Sequence, residues 1–234
     1  MAQDYEDPRP ISQQIAADLR ALILSGDIRE VLPSFSQLAA RYGASVNACQ
    51  NAVQILKDEH LVKGQQGRGL TVHPPEIMVI EAGVYFEPKR GQLRYDVIEV
   101  GPAIAPSSVA ALLGTDDVFA REQLMLVAGE PVELVRNFYP ADLARGTALA
   151  SERNIPGGAH RVLAELGAAP RRLADVLSDR PPTRDEMKFL RLPAYASIVQ
   201  TLRAVYAEDG RAVEVSVLVK GGHRTAVRYS MDLH

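Results

Sequence analysis

Cysteine is almost absent from this 234-residue chain, in which Cys49 is the single one. An intrachain disulfide is therefore excluded, and the position of Cys49 on the apolar side of a predicted helix favours a buried structural thiol over a reactive one. Long apolar runs are also missing, since none approaches the roughly 20 residues that cross a membrane. The first residues are acidic, unlike the basic start of a secretion signal. These features predict a cytoplasmic protein.

Patterns typical of catalysis or metal binding are also missing. The five histidines are nowhere spaced as His-x-x-x-His, and neither Gly-x-Ser-x-Gly nor a phosphate-binding loop occurs. His223 follows two glycines in a sequence typical of a turn. Asp185 and Glu186 lie in the first turn of a predicted helix, where acids interact favourably with the helix dipole. The sequence therefore predicts neither catalysis nor a metal or cofactor.

Residues 8–75 have the pattern of a winged helix-turn-helix. Ser34 and Ser45 are candidate N-caps, and Gly26 and Gly43 follow the predicted ends of two helices. A short helix, a glycine turn and a longer helix followed by a hairpin is the arrangement of a DNA-reading domain. The predicted helices span residues 11–24, 35–42 and 46–56, and the predicted strands span residues 61–63 and 70–72.

The remainder, residues 76–234, is predicted to be a second domain. Consecutive prolines at Pro74-Pro75 favour an extended connector between the two. Asp209-Gly210 between two apolar runs is a strong hairpin signal. Helices mixed with antiparallel hairpins predict an α+β fold. The helices are expected at 106–113, 159–166 and 184–190, and the strands at 79–86, 91–100, 120–128, 132–139, 198–207 and 212–220.

Both halves resemble known families. The N-terminal half resembles the DNA-binding domain of the GntR family of bacterial transcription regulators, through Ile15-Ala16-Ala17-Asp18-Leu19, Leu32-Pro33-Ser34, Gly43-Ala44-Ser45 and Gln66-Gly67-Arg68-Gly69-Leu70-Thr71-Val72. The C-terminal half resembles the UTRA effector-binding domain of the HutC subfamily, which has a chorismate-lyase-like fold. Its matching segments include Gly129-Glu130-Pro131-Val132, Phe138-Tyr139-Pro140 and Asp209-Gly210-Arg211-Ala212-Val213-Glu214. The resemblance implies a homodimeric repressor whose affinity for a double-stranded operator changes when a small molecule binds.

The residues that typically contact DNA in this family are only partly present in the sequence. Residues 8–75 hold seven lysines and arginines against five acids, a weakly basic balance for binding phosphate. Val46 and Gln50 stand where the family typically has arginines, and Asn and Gln pair best with adenine. Arg68 in the wing suits a contact with the backbone or the minor groove. The candidate DNA-binding residues are Ser34, Ser36, Ser45, Asn47, Gln50, Asn51, Gln66, Arg68 and Gly69.

The effector pocket implied by the resemblance departs further from the family. A pair of arginines there commonly binds an anionic metabolite, but Gln123 and Met125 occupy those positions. Val135 replaces a frequent glutamate, His160 and Lys220 replace tyrosines, and Glu214 fits the pattern. The candidate effector-binding residues are Gln123, Met125, Val135, His160, Glu214 and Lys220. Without a bidentate arginine fork, a neutral or partly apolar ligand is favoured over a phosphosugar.

Three alternatives remain open at this point. The loss of the expected arginines is compatible with a GntR-like protein that has lost specific DNA binding and acts through protein contacts. The chorismate-lyase-like fold is compatible with an enzyme. Met125 and Val135 are compatible with an apolar core in which the pocket is vestigial.

Overall fold

The computed structural model describes residues 7–65, 69–74, 78–81 and 93–230. The chain divides into two compact units, Met1–Glu76 and Ile77–His234. Pro75 of the predicted connector lies outside the described residues.

The first unit has the predicted three helices and hairpin. Its helices are α1 (Ile11–Leu24), α2 (Phe35–Tyr42) and α3 (Val46–Asp58), and its strands are β1 (Val62–Gln65) and β2 (Gly69–Val72). The strands pair antiparallel with Val62 opposite Val72. The α3 helix continues two residues beyond its predicted end at Leu56.

Side-chain caps explain why the second and third helices begin where they do. The Ser34 side chain accepts a hydrogen bond from the backbone N–H of Gln37, and the Gln37 side-chain oxygen accepts one from the backbone N–H of Ser34. The Ser45 hydroxyl accepts the backbone N–H of Ala48 at 3.2 Å. Each cap satisfies an N–H group that the helix itself leaves unpaired. Gly43 ends α2 with φ +58°, in the left-handed region that glycine adopts without strain.

The core of the first unit lies between α1 and α3. Leu19, Leu38 and Leu56 are fully buried, and Cys49 is buried among them, as the sequence predicted. The Arg20 guanidinium of α1 forms a bidentate pair with the carboxylate of Glu59 just beyond α3.

The second unit is built on a six-stranded antiparallel sheet in the order β4-β5-β6-β9-β8-β7. Those strands are β4 (Leu93–Ile104), β5 (Asp117–Val127), β6 (Glu130–Pro140), β7 (Arg172–Arg180), β8 (Ile198–Tyr206) and β9 (Ala212–Gly221). The helices are α4 (Ser107–Leu113), α5 (Ala141–Ala144), α6 (Ala159–Glu165) and α7 (Arg184–Phe189), with a 3₁₀ turn at Ala148–Ala150. A separate pair, β3 (Met78–Glu81) and β10 (Thr225–Arg228), is parallel. The unit is α+β, as predicted.

Helices cover both faces of this sheet. Phe138 packs in a cluster with Val109 of α4. The next residue, Tyr139, packs instead with Leu149 of the 3₁₀ turn and Leu163 of α6. Successive residues of a strand point to opposite faces, so β6 contributes to both layers.

Two strands, β7 and β10, are missing from the sequence prediction. The β7 strand was not predicted, because it lies at the sheet edge and its largely exposed residues lack a clear apolar alternation. The strand predicted over residues 79–86 is β3, Met78–Glu81, and the rest of that range lies outside the described residues.

Candidate DNA-reading helix and effector cavity

The first turns of α3 present uncharged side chains to solvent. Asn47, Gln50 and Asn51 are exposed, and their spacing places them on one side of the helix. Val46 at the start of the helix is also 47% exposed. This surface offers amide donors and acceptors and one apolar group, with no lysine or arginine before Lys57.

The other candidate DNA-binding residues fall into two groups. Ser34 and Ser45 are the helix caps, and the exposed Ser36 hydroxyl lies 3.1 Å from the hydroxyl of Ser34. In the wing, Gly69 has φ +77°, which favours glycine at that position. Gln66 and Arg68 lie outside the described residues.

A cavity of about 420 Å³ opens in the second unit. Four of the predicted effector-binding residues line it: Gln123, Val135, His160 and Glu214. Met125 and Lys220 do not line it, and both are buried. The Lys220 ammonium donates to the carboxylate of Glu133, and this ion pair is enclosed within the protein.

Residues that the sequence analysis missed form a polar row across one face of the sheet. The strand register places Arg121 opposite Asn137, Asn137 opposite Ser216, Ser216 opposite Arg203, and Arg203 opposite Asp175. All but Asp175 line the cavity. The period-2 alternation of β5 could have identified Arg121, because it lies two residues before Gln123 and therefore on the same face.

The two arginines of this row already bind other groups of the protein. Arg203 donates from Nε and Nη2 to the Asp175 carboxylate, at 2.8 and 2.7 Å. Arg121 is 1% exposed and donates to the carbonyl oxygens of Ser151 and Arg153. Burial lowers the pKa of the Arg121 guanidinium. Arg121 and Arg203 thus each use at least two N–H groups within the protein. A third arginine of the lining, Arg94, is exposed and donates to the Asp96 carboxylate at 2.7 Å.

The Glu214 carboxylate lies at the buried side of the cavity. Its Oε1 is 2.8 Å from the Ser216 hydroxyl, and its Oε2 is 3.6 Å from Nε2 of His160. The Tyr139 side chain is fully buried, and burial together with the nearby Glu214 charge raises the pKa of its hydroxyl well above the ordinary value. Tyr139 therefore remains protonated at neutral pH and can act as a hydrogen-bond donor.

No group of three or more His, Cys, Asp or Glu side chains in the described ranges could hold a metal ion. No helix in the same ranges combines the length and apolar character that a membrane span requires.

Comparisons with known proteins agree with this architecture. Residues 11–72 match the gntR family of bacterial regulatory proteins, and residues 89–225 match the UTRA domain. An uncharacterised HTH-type transcriptional regulator of Rhizobium meliloti (strain 1021), RB1450, is 27% identical over 216 residues, covering 87% of this chain and 88% of that protein.

Solved structures share the fold. A structure assigned to the GntR family of transcriptional regulators is 22% identical with a TM-score of 0.67, covering 97% of this chain and 99% of its own. PhnF from Mycobacterium smegmatis is 20% identical with a TM-score of 0.58, and the match covers 94% of this chain and 100% of PhnF. The chain therefore belongs to the GntR family, as a transcriptional regulator rather than an enzyme, with a DNA-binding helix-turn-helix followed by the UTRA effector-binding domain typical of the HutC subfamily.

Proposed function

We propose that this regulator is a homodimeric repressor whose affinity for its operator changes when a small, weakly charged molecule enters the UTRA cavity. The observation that carries the proposal is the combination of an exposed, amide-rich face on α3 with a cavity of about 420 Å³ in the second unit. In this proposal residues 8–75 bind DNA, and residues 76–234 bind the effector and form the dimer.

The α3 helix is proposed to read an A·T-rich half-site. In helix-turn-helix proteins the first residues of the recognition helix contact base edges in the major groove. Asn47 and Gln50 are suited to bidentate bonds with adenine N6 and N7, and the exposed Val46 is suited to the methyl group of thymine. Ser34, Ser36, Ser45 and Gly69 are proposed to position the domain on the sugar-phosphate backbone.

The effector acts only if it binds two conformations of the dimer with different affinity. We propose that Gln123, Val135, His160 and Glu214 contact it, while Lys220 acts indirectly through its ion pair with Glu133. A change in the separation of the two α3 helices would then alter the fit to paired half-sites, since the spacing of such sites matches the symmetry of the protein.

Light scattering tests the proposed dimer. At micromolar concentration we expect a mass about twice that of the 25.5 kDa chain. Two-fold symmetry of the protein is what matches a palindromic operator. A mass of one chain under these conditions would contradict the dimer.

A gel shift with the DNA upstream of the protein's own gene tests operator binding. We expect one discrete complex that survives an excess of unrelated DNA and weakens as salt rises, because phosphate contacts release counterions. The salt dependence should be shallow, since Arg20 is engaged by Glu59 and the exposed start of α3 carries no cation. If competitor DNA removes every complex, the protein does not bind DNA specifically and acts through protein contacts instead.

A further inference from the structure

We propose that β7 pairs antiparallel with β7 of a second copy of this chain, so that the sheets of two effector-binding units join into one. This inference rests on the proposed homodimer and specifies the surface at which its subunits meet. The two-fold axis passes beside Asp175, and Ala174 of each subunit lies opposite Val176 of the other.

The β7 strand lies at an open edge of the sheet. In the described part of the chain it has a neighbouring strand, β8, on one side only. Its nine residues pair with β8 in unbroken register, so the strand is regular along its whole length. Val176 and Leu177, in its second half, are 65% and 43% exposed. A long, regular edge strand with exposed apolar side chains is a template for pairing with another strand.

The opposite edge of the sheet, β4, is protected against such pairing. Its register with β5 is interrupted between Val97 and Glu99. The same strand carries the exposed charges of Arg94 and Asp96. Bulges and charged side chains both discourage the addition of a strand to an edge. Residues 176–178 of β7 have neither feature, which favours β7 as the edge that pairs.

The proposed register makes the facing side chains complementary. A two-fold axis perpendicular to the sheet keeps each side chain on its own face, so facing residues are an even number of positions apart in the sequence. Apolar residues then face apolar residues, and the exposed ends of the strand bring together opposite charges. The facing pairs are Leu173 with Leu177, Ala174 with Val176, and Arg171 with Asp179.

Neighbouring registers bring like charges together. A shift of one copy by two residues, which centres the pair on Val176, would place Arg172 opposite Arg180. A further shift by two residues would place Asp175 opposite Asp179. Like charges directly opposite one another destabilise a pair of strands, so both shifts are disfavoured.

The one like-charged contact of the proposed register is neutralised within each subunit. The two Asp175 residues face one another at the axis, but each carboxylate accepts two hydrogen bonds from Arg203 of its own chain. Arg203 also lines the effector cavity. A movement of Arg203 on effector binding would therefore act directly on the strand that joins the subunits.

Light scattering of the double variant Val176→Lys and Leu177→Lys tests the surface. Both side chains are exposed, so the subunit should still fold, and lysine on an edge strand opposes pairing. We expect the dimer to dissociate about 100-fold more readily, which gives the mass of one 25.5 kDa chain at micromolar concentration. The matched control, Ile98→Lys and Ile104→Lys, changes two exposed residues of β4 and should remain dimeric.

Cysteine crosslinking tests the register, and it answers the question even if the double lysine variant fails to fold. Co-expressed Ala174→Cys and Val176→Cys chains should form a disulfide-linked dimer, because the Cβ atoms of facing residues lie about 4.5–5.5 Å apart. Each variant alone places its two cysteines diagonally, at about 7–8 Å, and should not crosslink. The natural chain should not crosslink either, since Cys49 is buried.

Three results would overturn the inference. A folded double lysine variant that remains dimeric would show that the subunits meet elsewhere, and the proposed function would stand. Crosslinking of Val176→Cys alone, without crosslinking of the co-expressed pair, would contradict the register. A natural chain that is monomeric would contradict the proposed dimer itself, and this outcome is visible before any variant is made.

Discussion

Replacing Lys220 with methionine should lower the free energy of unfolding by about 3–5 kcal/mol, the usual cost of breaking a buried ion pair. Lys220 and Glu133 are each no more than 1% exposed and lie opposite one another on β9 and β6. Removing the ammonium leaves the Glu133 carboxylate buried without its counter-charge. The loss should be measured by urea denaturation at neutral pH.

Two controls make this prediction specific. The double variant Glu133→Leu and Lys220→Met should recover most of the lost stability, because it removes both charges and retains apolar volume. Arg94→Met breaks the exposed pair with Asp96 and should cost less than about 1 kcal/mol. A Lys220→Met variant of natural stability that no longer responds to effector would instead support the sequence-based assignment of Lys220 to the pocket.

The double variant Asn47→Ala and Gln50→Ala should weaken specific operator binding about 100-fold or more, since each good base contact contributes about 1–3 kcal/mol. Each single substitution should weaken it roughly tenfold. Binding to unrelated DNA should change little, because phosphate contacts supply most non-specific affinity. Fluorescence anisotropy with the operator and a scrambled duplex measures both quantities.

Gln54→Ala is the matched control within the same helix. Gln54 is exposed about two turns beyond Asn47 and its amide donates to Asp58 at 2.8 Å, so its loss should leave operator affinity within about twofold. Arg68→Ala should instead weaken binding to all sequences and lower the salt slope by about 1. Unchanged operator affinity in the Asn47 and Gln50 variants would show that α3 is not the reading helix.

The reading domain could be predicted from the sequence because its signals are local. Ser34 and Ser45 bond to backbone groups three residues away, and the Gly43 backbone adopts a conformation that other residues avoid. The spacing of apolar residues in α1 and α3 then shows which sides of the helices meet. Each of these effects depends on neighbours within one or two turns of helix.

The effector cavity depends on strand register and was only partly predictable. Gln123 and Glu214 were identified through their resemblance to a family pattern, whereas Arg121, Asn137 and Ser216 became neighbours only when β5, β6 and β9 paired.

Lys220 shows most clearly what could not be predicted from the sequence. Its position in the chain indicated a pocket residue, but its partner Glu133 lies 87 positions earlier in the sequence. The sequence by itself determined the helices, their caps, the α+β class and the family of each half. Only the tertiary structure decided which charges neutralise one another and which polar groups face the cavity, because the pairing of distant strands brings those side chains together.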